Sequence, residues 1–241
     1  MNITKRQEAI ITGTLLGDGY LQKTGSKNAR LRLEHGGKQK EYLLWKGAQF
    51  PKLFNSKPTY VERIHPKTKK IYAYWRWQSH STPELGKWQR LFYPNNRKQI
   101  PRTLGNLLSE SLALAVWYMD DGFFDPKQKH SFIYLGRVSR PEAEIARVVI
   151  ENNFKILARV YDKKEKGFVL FFSVSETKKL HLVIKKHIGI DSPTLSKEKY
   201  ILDNIEFLSE EEFKFKNKFI EQVKENLSHN PSLPGEIELK S

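Results

Sequence analysis

The chain contains no cysteine. Disulfides and thiolate metal sites are therefore excluded, and a reducing compartment fits. Long apolar runs are missing as well: none approaches the ~18 residues that a membrane span needs. The opening MNITKRQEAI lacks the charged-then-apolar order of a signal peptide, so neither secretion nor membrane insertion is expected. Acidic residues are scarce in one part only. Residues 1–104 carry 21 Lys/Arg against 6 Asp/Glu, whereas residues 105–241 carry 21 against 21. The whole formal charge of +15 thus falls in the first part. A surface that basic repels itself unless a polyanion neutralises it. Nucleic acid is the leading partner, an anionic membrane surface the weaker one, and plain solubility the bland alternative.

What is present can fold. The 241 residues suffice for one large domain or two small ones of ~100 residues each. With 39% hydrophobic residues, 14 Phe and 10 Tyr, the chain can build a core. Thr4-Lys5-Arg6-Gln7 has capping-box form, and Ala9, Ile10, Ile11, Leu15 and Leu16 extend a predicted helix to about Asp18, where Gly19 stops it. Residues 28–35 alternate, with Leu31 and Leu33 on one side and Arg30, Arg32 and Glu34 on the other. A helix is predicted over 38–54, then a hairpin of strands 58–65 and 70–79. In its second strand Ile71, Ala73, Trp75 and Trp77 are expected to face inward, and Tyr72, Tyr74, Arg76 and Gln78 outward. A short helix at 83–93 begins with Pro83.

After a connector containing Pro94 and Pro101, the order repeats: a helix at 109–121, a strand near 131–139, a helix at 141–153, strands at 155–162 and 168–175, and a helix at 176–188. This duplication is the main structural inference. It divides the chain into a first half (1–93), a connector (94–108), a second half (109–200), a mixed-charge helical extension (201–226) and a flexible tail (227–241).

Each half opens with an apolar helix ending in an acidic-glycine step. The first reads Ile11-Thr12-Gly13-Thr14-Leu15-Leu16-Gly17-Asp18-Gly19, the second Leu114-Ala115-Val116-Trp117-Tyr118-Met119-Asp120-Asp121-Gly122. Both put a carboxylate at a helix C-terminus, where the dipole disfavours an anion. A divalent metal there would offset that cost. Either step alone is an ordinary turn; two copies ~100 residues apart in matched context carry more weight.

These segments resemble the LAGLIDADG motif of homing endonucleases and of the related intron maturases. The stretch from Ile100-Pro101 through Ser111-Leu112-Ala113 to Asp121-Gly122 is especially similar to the second motif of single-chain members. The resemblance implies an α+β fold of two pseudo-symmetric αββαββα halves. Their mixed or antiparallel DNA-binding sheets would pack through two central motif helices, which Gly13, Gly17, Ala113 and Ala115 would let approach. It implies that Asp18 and Asp121 are catalytic metal ligands and that the backbone carbonyls of Gly17 and Asp120 contribute, with the Asp120 side chain not a direct ligand. Mg²⁺ is the expected ion, Mn²⁺ a substitute, and Ca²⁺ an ion that binds without supporting cleavage. Lys98 occupies the place of an assisting lysine, and Lys197, with Lys199 as the other option, is the candidate for the second half.

A two-stranded ribbon fits the DNA major groove, so Arg30, Arg32, Tyr72, Tyr74, Arg76 and Gln78 are candidate base readers. Lys57, Arg63, Lys67, Lys69 and Lys70 are candidate phosphate contacts. The second half offers Lys127, Lys129, Arg137, Arg140, Arg159 and Lys163. Its segment 131–137 is more apolar than 28–35, which suggests that the first half anchors DNA more strongly. The seven His read as surface or phosphate-facing, and Trp45, Trp75, Trp77 and Trp88 as core.

The expected activity is site-specific double-strand DNA cleavage leaving short 3′ overhangs, by a monomer on a long non-palindromic site. An intron maturase that binds RNA, or a DNA-binding protein that has lost cleavage, is the alternative. An intein origin is not expected, since the chain starts at Met1 and lacks cysteine. A bacterial or archaeal cytoplasm or an organelle would suit such a protein.

Overall fold

A computed structural model describes residues 3–187, which lie within one compact unit. The predicted extension 201–226, the tail 227–241 and Lys197 fall outside the described residues. The first half runs α1 (Lys5–Leu16), β1 (Tyr20–Lys23), β2 (Ala29–Gly36), α2 (Lys40–Ala48), β3 (Thr59–Ile64), β4 (Ile71–Gln78) and α3 (Pro83–Phe92). A short α4 (Leu104–Leu107) lies in the connector. The second half repeats the series as α5 (Ser111–Asp121), β5 (Gly122–Asp125), β6 (His130–Gly136), α6 (Arg140–Phe154), β7 (Arg159–Asp162), β8 (Phe168–Phe172) and α7 (Val174–Ile184).

The two antiparallel sheets have the same topology, β1-β2-β4-β3 and β5-β6-β8-β7. Equal order in both halves is the structural form of the duplication. Apolar helices α1 and α5 form the centre. Ile10, Ile11 and Leu15 of one, and Leu114, Ala115 and Trp117 of the other, are excluded from solvent. Their removal from water is the main favourable term holding the halves together.

Local signals explain most boundaries. The Thr4 hydroxyl accepts from the Gln7 amide, and the Gln7 side chain accepts from the Thr4 amide, which completes the capping box. Ser139 and Glu142 do the same for α6. The predicted helix 38–54 is too long. A 3₁₀ turn occupies 37–39 and α2 ends at Ala48, because Pro51 disfavours helical geometry at Phe50 before it. β7 starts at Arg159 rather than 155: Lys155 takes a left-handed conformation that ends α6, and the link follows. Ile71 is exposed rather than inward, since the β3–β4 hairpin extends past the core. Among the tryptophans expected in the core, Trp77 is buried, while Trp45, Trp75 and Trp88 are half-buried.

Candidate active site and nucleic-acid interface

α1 and α5 touch at positions where no side chain fits. A methyl group on Gly13 would lie 2.3 Å from the Ala113 carbonyl oxygen, and one on Gly17 would lie 2.4 Å from Asp120 Cβ. Glycine is therefore required at both places for the motif ends to meet.

The two ends differ. α1 stops at Leu16, and the Gly19 amide reaches back to the Thr14 carbonyl at 2.7 Å. Asp18 consequently sits on the turn beyond the helix, not in its last turn as predicted, with its side chain 46% exposed. α5 continues through Asp121. Asp120, just before it, is turned inward. Both of its carboxylate oxygens accept from Lys46 Nζ at 2.7 Å, and Oδ2 also accepts from the Asp18 amide at 3.2 Å. Neither side chain of the Lys46–Asp120 pair reaches solvent. A charged pair this deep persists only when its hydrogen bonds are satisfied, and here three are made.

Lys46 belongs to α2 of the first half, so this pair joins one half's helix to the other half's motif. Its ammonium lies 4.4 Å over the Tyr42 ring, and the Tyr42 hydroxyl donates to the Val116 carbonyl at 3.3 Å. Burial first, and the Asp120 charge second, push the Tyr42 phenol well above its ordinary pKa. His35 is buried rather than at the surface, with Nδ1 3.8 Å from Asp18 Oδ2 and its ring packed on Tyr42. His181 also departs from the surface expectation, being packed against Tyr118 and Ser131, and burial lowers its pKa to about 4.

Lys98 donates to the carbonyl of Gly17, and to that of Gly19 at 3.4 Å. Its neighbours fix it there. The Arg97 guanidinium and the Ile100 amide both donate to Glu142 at 3.1 Å, and Glu142 in turn caps α6. Burial lowers the Lys98 pKa, while Asp121, Asp120 and Asp18 oppose the shift. All three carboxylates thus act on one ammonium. Asp121, Gly17 and Lys98 line a cleft of about 410 Å³ together with Leu15, Trp117 and Tyr134.

Asp18, His35 and Asp120 also bring possible ligand atoms within 4.8 Å of one another. The ammonium on both Asp120 oxygens makes that carboxylate a poor cation ligand. Asp18, Asp121 and the Gly17 carbonyl, which has a second lone pair besides the one given to Lys98, carry hard oxygen atoms of the kind that bind divalent cations.

The sheets present the sequence-predicted recognition residues as follows. Cross-strand pairs Arg32–Gln78, Glu34–Arg76 and Gly36–Tyr74 put Arg30, Arg32, Tyr72, Tyr74, Arg76 and Gln78 on one face of the first sheet. Glu34 holds Arg76 at 2.6 Å and Arg32 at 3.3 Å, and Arg32 and Arg63 lie over the rings of Tyr20 and Tyr74. Lys57 precedes β3, while Lys67, Lys69 and Lys70 form the β3–β4 turn. In the second half, Arg159 lies on the equivalent sheet face. Lys127, Lys129 and Lys163 occupy turns, Arg137 follows β6, and Arg140 opens α6. Of these, Lys163 reaches the face itself, its Nζ lying 5.3 Å from the centroid of the Phe132 ring.

Sequence reasoning missed Lys46 and His35, although both left signals. Lys46 follows Tyr42 by four residues and Leu43 by three, so helical spacing puts it on the buried face of α2. His35 continues the inward alternation of Leu31 and Leu33.

Two four-stranded sheets carried on a pair of acid-tipped helices define a duplicated α+β class with its polar centre at the helix ends. The chain belongs to the LAGLIDADG DNA endonuclease family, whose profile matches residues 8–180. It is 30% identical over 129 residues to the RecA protein of Mycolicibacterium flavescens, covering 53% of this chain and 28% of that protein. With probable intron-encoded endonuclease 1 of Wickerhamomyces canadensis the identity is 29% over 157 residues, covering 64% and 67%. With cytochrome b mRNA maturase bI2 of Debaryomyces hansenii it is 32% over 126 residues, covering 50% and 47%. The match therefore spans under a third of the RecA relative and about half of the maturase.

The homing endonuclease I-WcaI, solved bound to its DNA recognition sequence, shares the fold at a TM-score of 0.73 and 23% identity, over 83% of this chain and 87% of that one. A variant of I-DmoI, solved with its target DNA in the presence of manganese, matches at 0.50 and 14%, over 78% and 98%.

Proposed function

We propose that this protein is a site-specific double-strand DNA endonuclease that hydrolyses phosphodiesters with divalent metal ions, acting as a monomer on a long non-palindromic site. The observation that carries the reading is that Asp18 and Asp121, from two separate motifs, both lie close enough to act on Lys98, beside the contact of α1 with α5. A DNA-binding protein without chemistry has no need for two acids brought together at that cost.

Asp18 and Asp121 would hold the ions, with the main-chain carbonyls of Gly17 and Asp120, and Mg²⁺ is the ion proposed. Such ions, when bound, polarise the scissile phosphates and lower the pKa of the attacking water. The chain's own residues do the rest. Asp120 fixes the backbone of the first motif through the Asp18 amide, and Lys46 neutralises Asp120 so that this grip survives burial. Asp121, Asp120 and Asp18 favour the charged form of Lys98 at the cleft wall, against the effect of its burial, where negative charge would grow on the phosphate during attack. Arg30, Arg32, Arg76, Gln78 and their neighbours set the DNA in register over the site.

Likeness to the maturase of D. hansenii favours one second reading, an RNA-binding splicing cofactor on the same scaffold. One experiment separates them. The protein is incubated with a randomised duplex library in Mg²⁺ or Ca²⁺ and the cut ends are sequenced, with Asp18→Asn and Asp121→Asn alongside. Cuts at one site, dependent on Mg²⁺ and reduced about a thousandfold or more in each variant, are expected. Binding without cutting would favour a cleavage-deficient protein. Neither binding nor cutting would move the assay to intron RNA.

A further inference from the structure

The second sheet carries a different chemistry on the face equivalent, by strand register, to the arginine-rich face of the first. Strand register makes the comparison position by position. Tyr20 pairs with Arg32 and Arg32 with Gln78 in the first sheet; Phe123 pairs with Phe132 and Phe132 with Phe171 in the second. Where the first sheet has Glu34 opposite Arg76, the second has Tyr134 opposite Val169. Arginine, glutamate and glutamine are thus replaced by phenylalanine, tyrosine and valine at equivalent places.

The rings form one continuous layer. Phe132 lies 5.4 Å from Phe171 and 6.4 Å from Phe123, and Tyr161 lies 5.4 Å from Phe171. Phe123 is 49% exposed, Tyr161 40% and Tyr134 38%. A contiguous apolar patch of this kind marks a contact surface. Cations rim it: Lys163 stands 5.3 Å over the Phe132 ring, Arg159 pairs with Phe171, and Lys127 and Lys129 occupy the adjoining turn. An apolar centre inside a basic rim is complementary to a DNA groove, with phosphates at its edges.

The Phe123, Phe132 and Phe171 rings cannot satisfy hydrogen-bonding base edges, which leaves the Tyr134 and Tyr161 hydroxyls and His130 at their margin as the polar groups. Covering such edges with phenyl rings would cost their bonds to water without replacement. One base presents an apolar group in the major groove, the C5-methyl of thymine, and phenylalanine is a fitting contact for it. We propose that the second sheet recognises a thymine-rich half-site through the C5-methyl groups, with Phe123, Phe132, Phe171 and Tyr134 as the contacting residues. This rests on the reading of the protein as a binder of duplex DNA, and it adds what one half of the site must contain.

The test uses the full chain in Ca²⁺ with randomised duplex DNA, and sequences the bound fraction. It then replaces thymine by deoxyuridine, which pairs identically but lacks the methyl, in each half of the selected site separately. Uracil in one half should weaken binding about fourfold per contacted base; uracil in the other half should change nothing. Phe123→Ala, at a half-exposed position that tolerates truncation, should remove the uracil effect at the base that Phe123 contacts and leave it at the others in that half, whereas Arg76→Ala should alter base preference in the other half. Recovery of a defined site that is indifferent to uracil in both halves overturns the proposal and leaves the endonuclease reading standing. Preference for single-stranded RNA over any duplex overturns both.

Discussion

Gly17 and Asp120 stand at the same place in the two motifs, each just before the acidic residue, and they play opposite parts. Gly17 gives up its side chain so that the other helix can approach. Asp120 sends its carboxylate across that approach to the Asp18 amide. The sheets differ as much, one polar and arginine-rich, the other aromatic. Duplication has preserved the backbone order while each half acquired its own chemistry, and the centre depends on both. Lys46 shows this most directly, because a first-half helix neutralises a second-half acid.

That dependence can be broken at Lys46. Lys46→Met takes the buried Asp120 carboxylate's counter-ion away and should cost about 3–5 kcal/mol, or about 10 °C in Tm. Lys46→Met combined with Asp120→Leu should recover most of the loss, as thermal unfolding would show. Equal losses in the single and the double variant would mean that the pair does not interlock the halves. Lys98 tests the other asymmetry, since it contacts the first motif's carbonyls. Lys98→Met should lower the single-turnover cleavage rate about a hundredfold with little change in binding; a pure binding defect would count against its place beneath the cleft.

His181 distinguishes the second half's core from the first. Its folded pKa of about 4 lies below the ordinary 6.5 because burial disfavours the imidazolium. Above pH 6.5 both folded and unfolded chains hold it neutral and it contributes no pH dependence. As pH falls from about 6.5 to 4, the unfolded chain takes up a proton that the fold refuses. Stability should then decline by about 2–3 kcal/mol, and His181→Phe should flatten that part of the curve. An unchanged curve in the variant would assign the acid loss elsewhere. The smallest effect concerns the sheets. Each phosphate contact removed should flatten the dependence of log affinity on log salt by about 0.9. Neutralising Lys67, Lys69 and Lys70 should flatten it more than neutralising Lys127, Lys129 and Lys163; equal slopes would make the two halves equal anchors.

Much of this frame is legible in the sequence because it rests on local rules. The capping box at Thr4, the alternation in β2 and β4 and the acidic-glycine steps each specify an element without tertiary knowledge. β1 and β5 are absent from that reading because four residues, beginning just after a glycine in β1 and on one in β5, carry too little periodicity. The unlike fates of Asp120 and Asp121 follow from Lys46, which lies 74 residues away in sequence, so no local pattern separates the two adjacent acids. The aromatic face needed the register: Phe123, Phe132 and Phe171 are scattered in the chain and adjacent only across strands.

The central claim is that Asp18 and Asp121, and not the buried Asp120, hold the catalytic ions. It is tested most directly by counting Mn²⁺ bound to the protein–DNA complex by electron paramagnetic resonance. Bound manganese should be lost in Asp18→Asn and in Asp121→Asn. It should persist in the neutral pair Lys46→Gln/Asp120→Asn. Full manganese binding in Asp121→Asn, with loss in the neutral pair, would place the ion among Asp18, His35 and Asp120 and contradict the account.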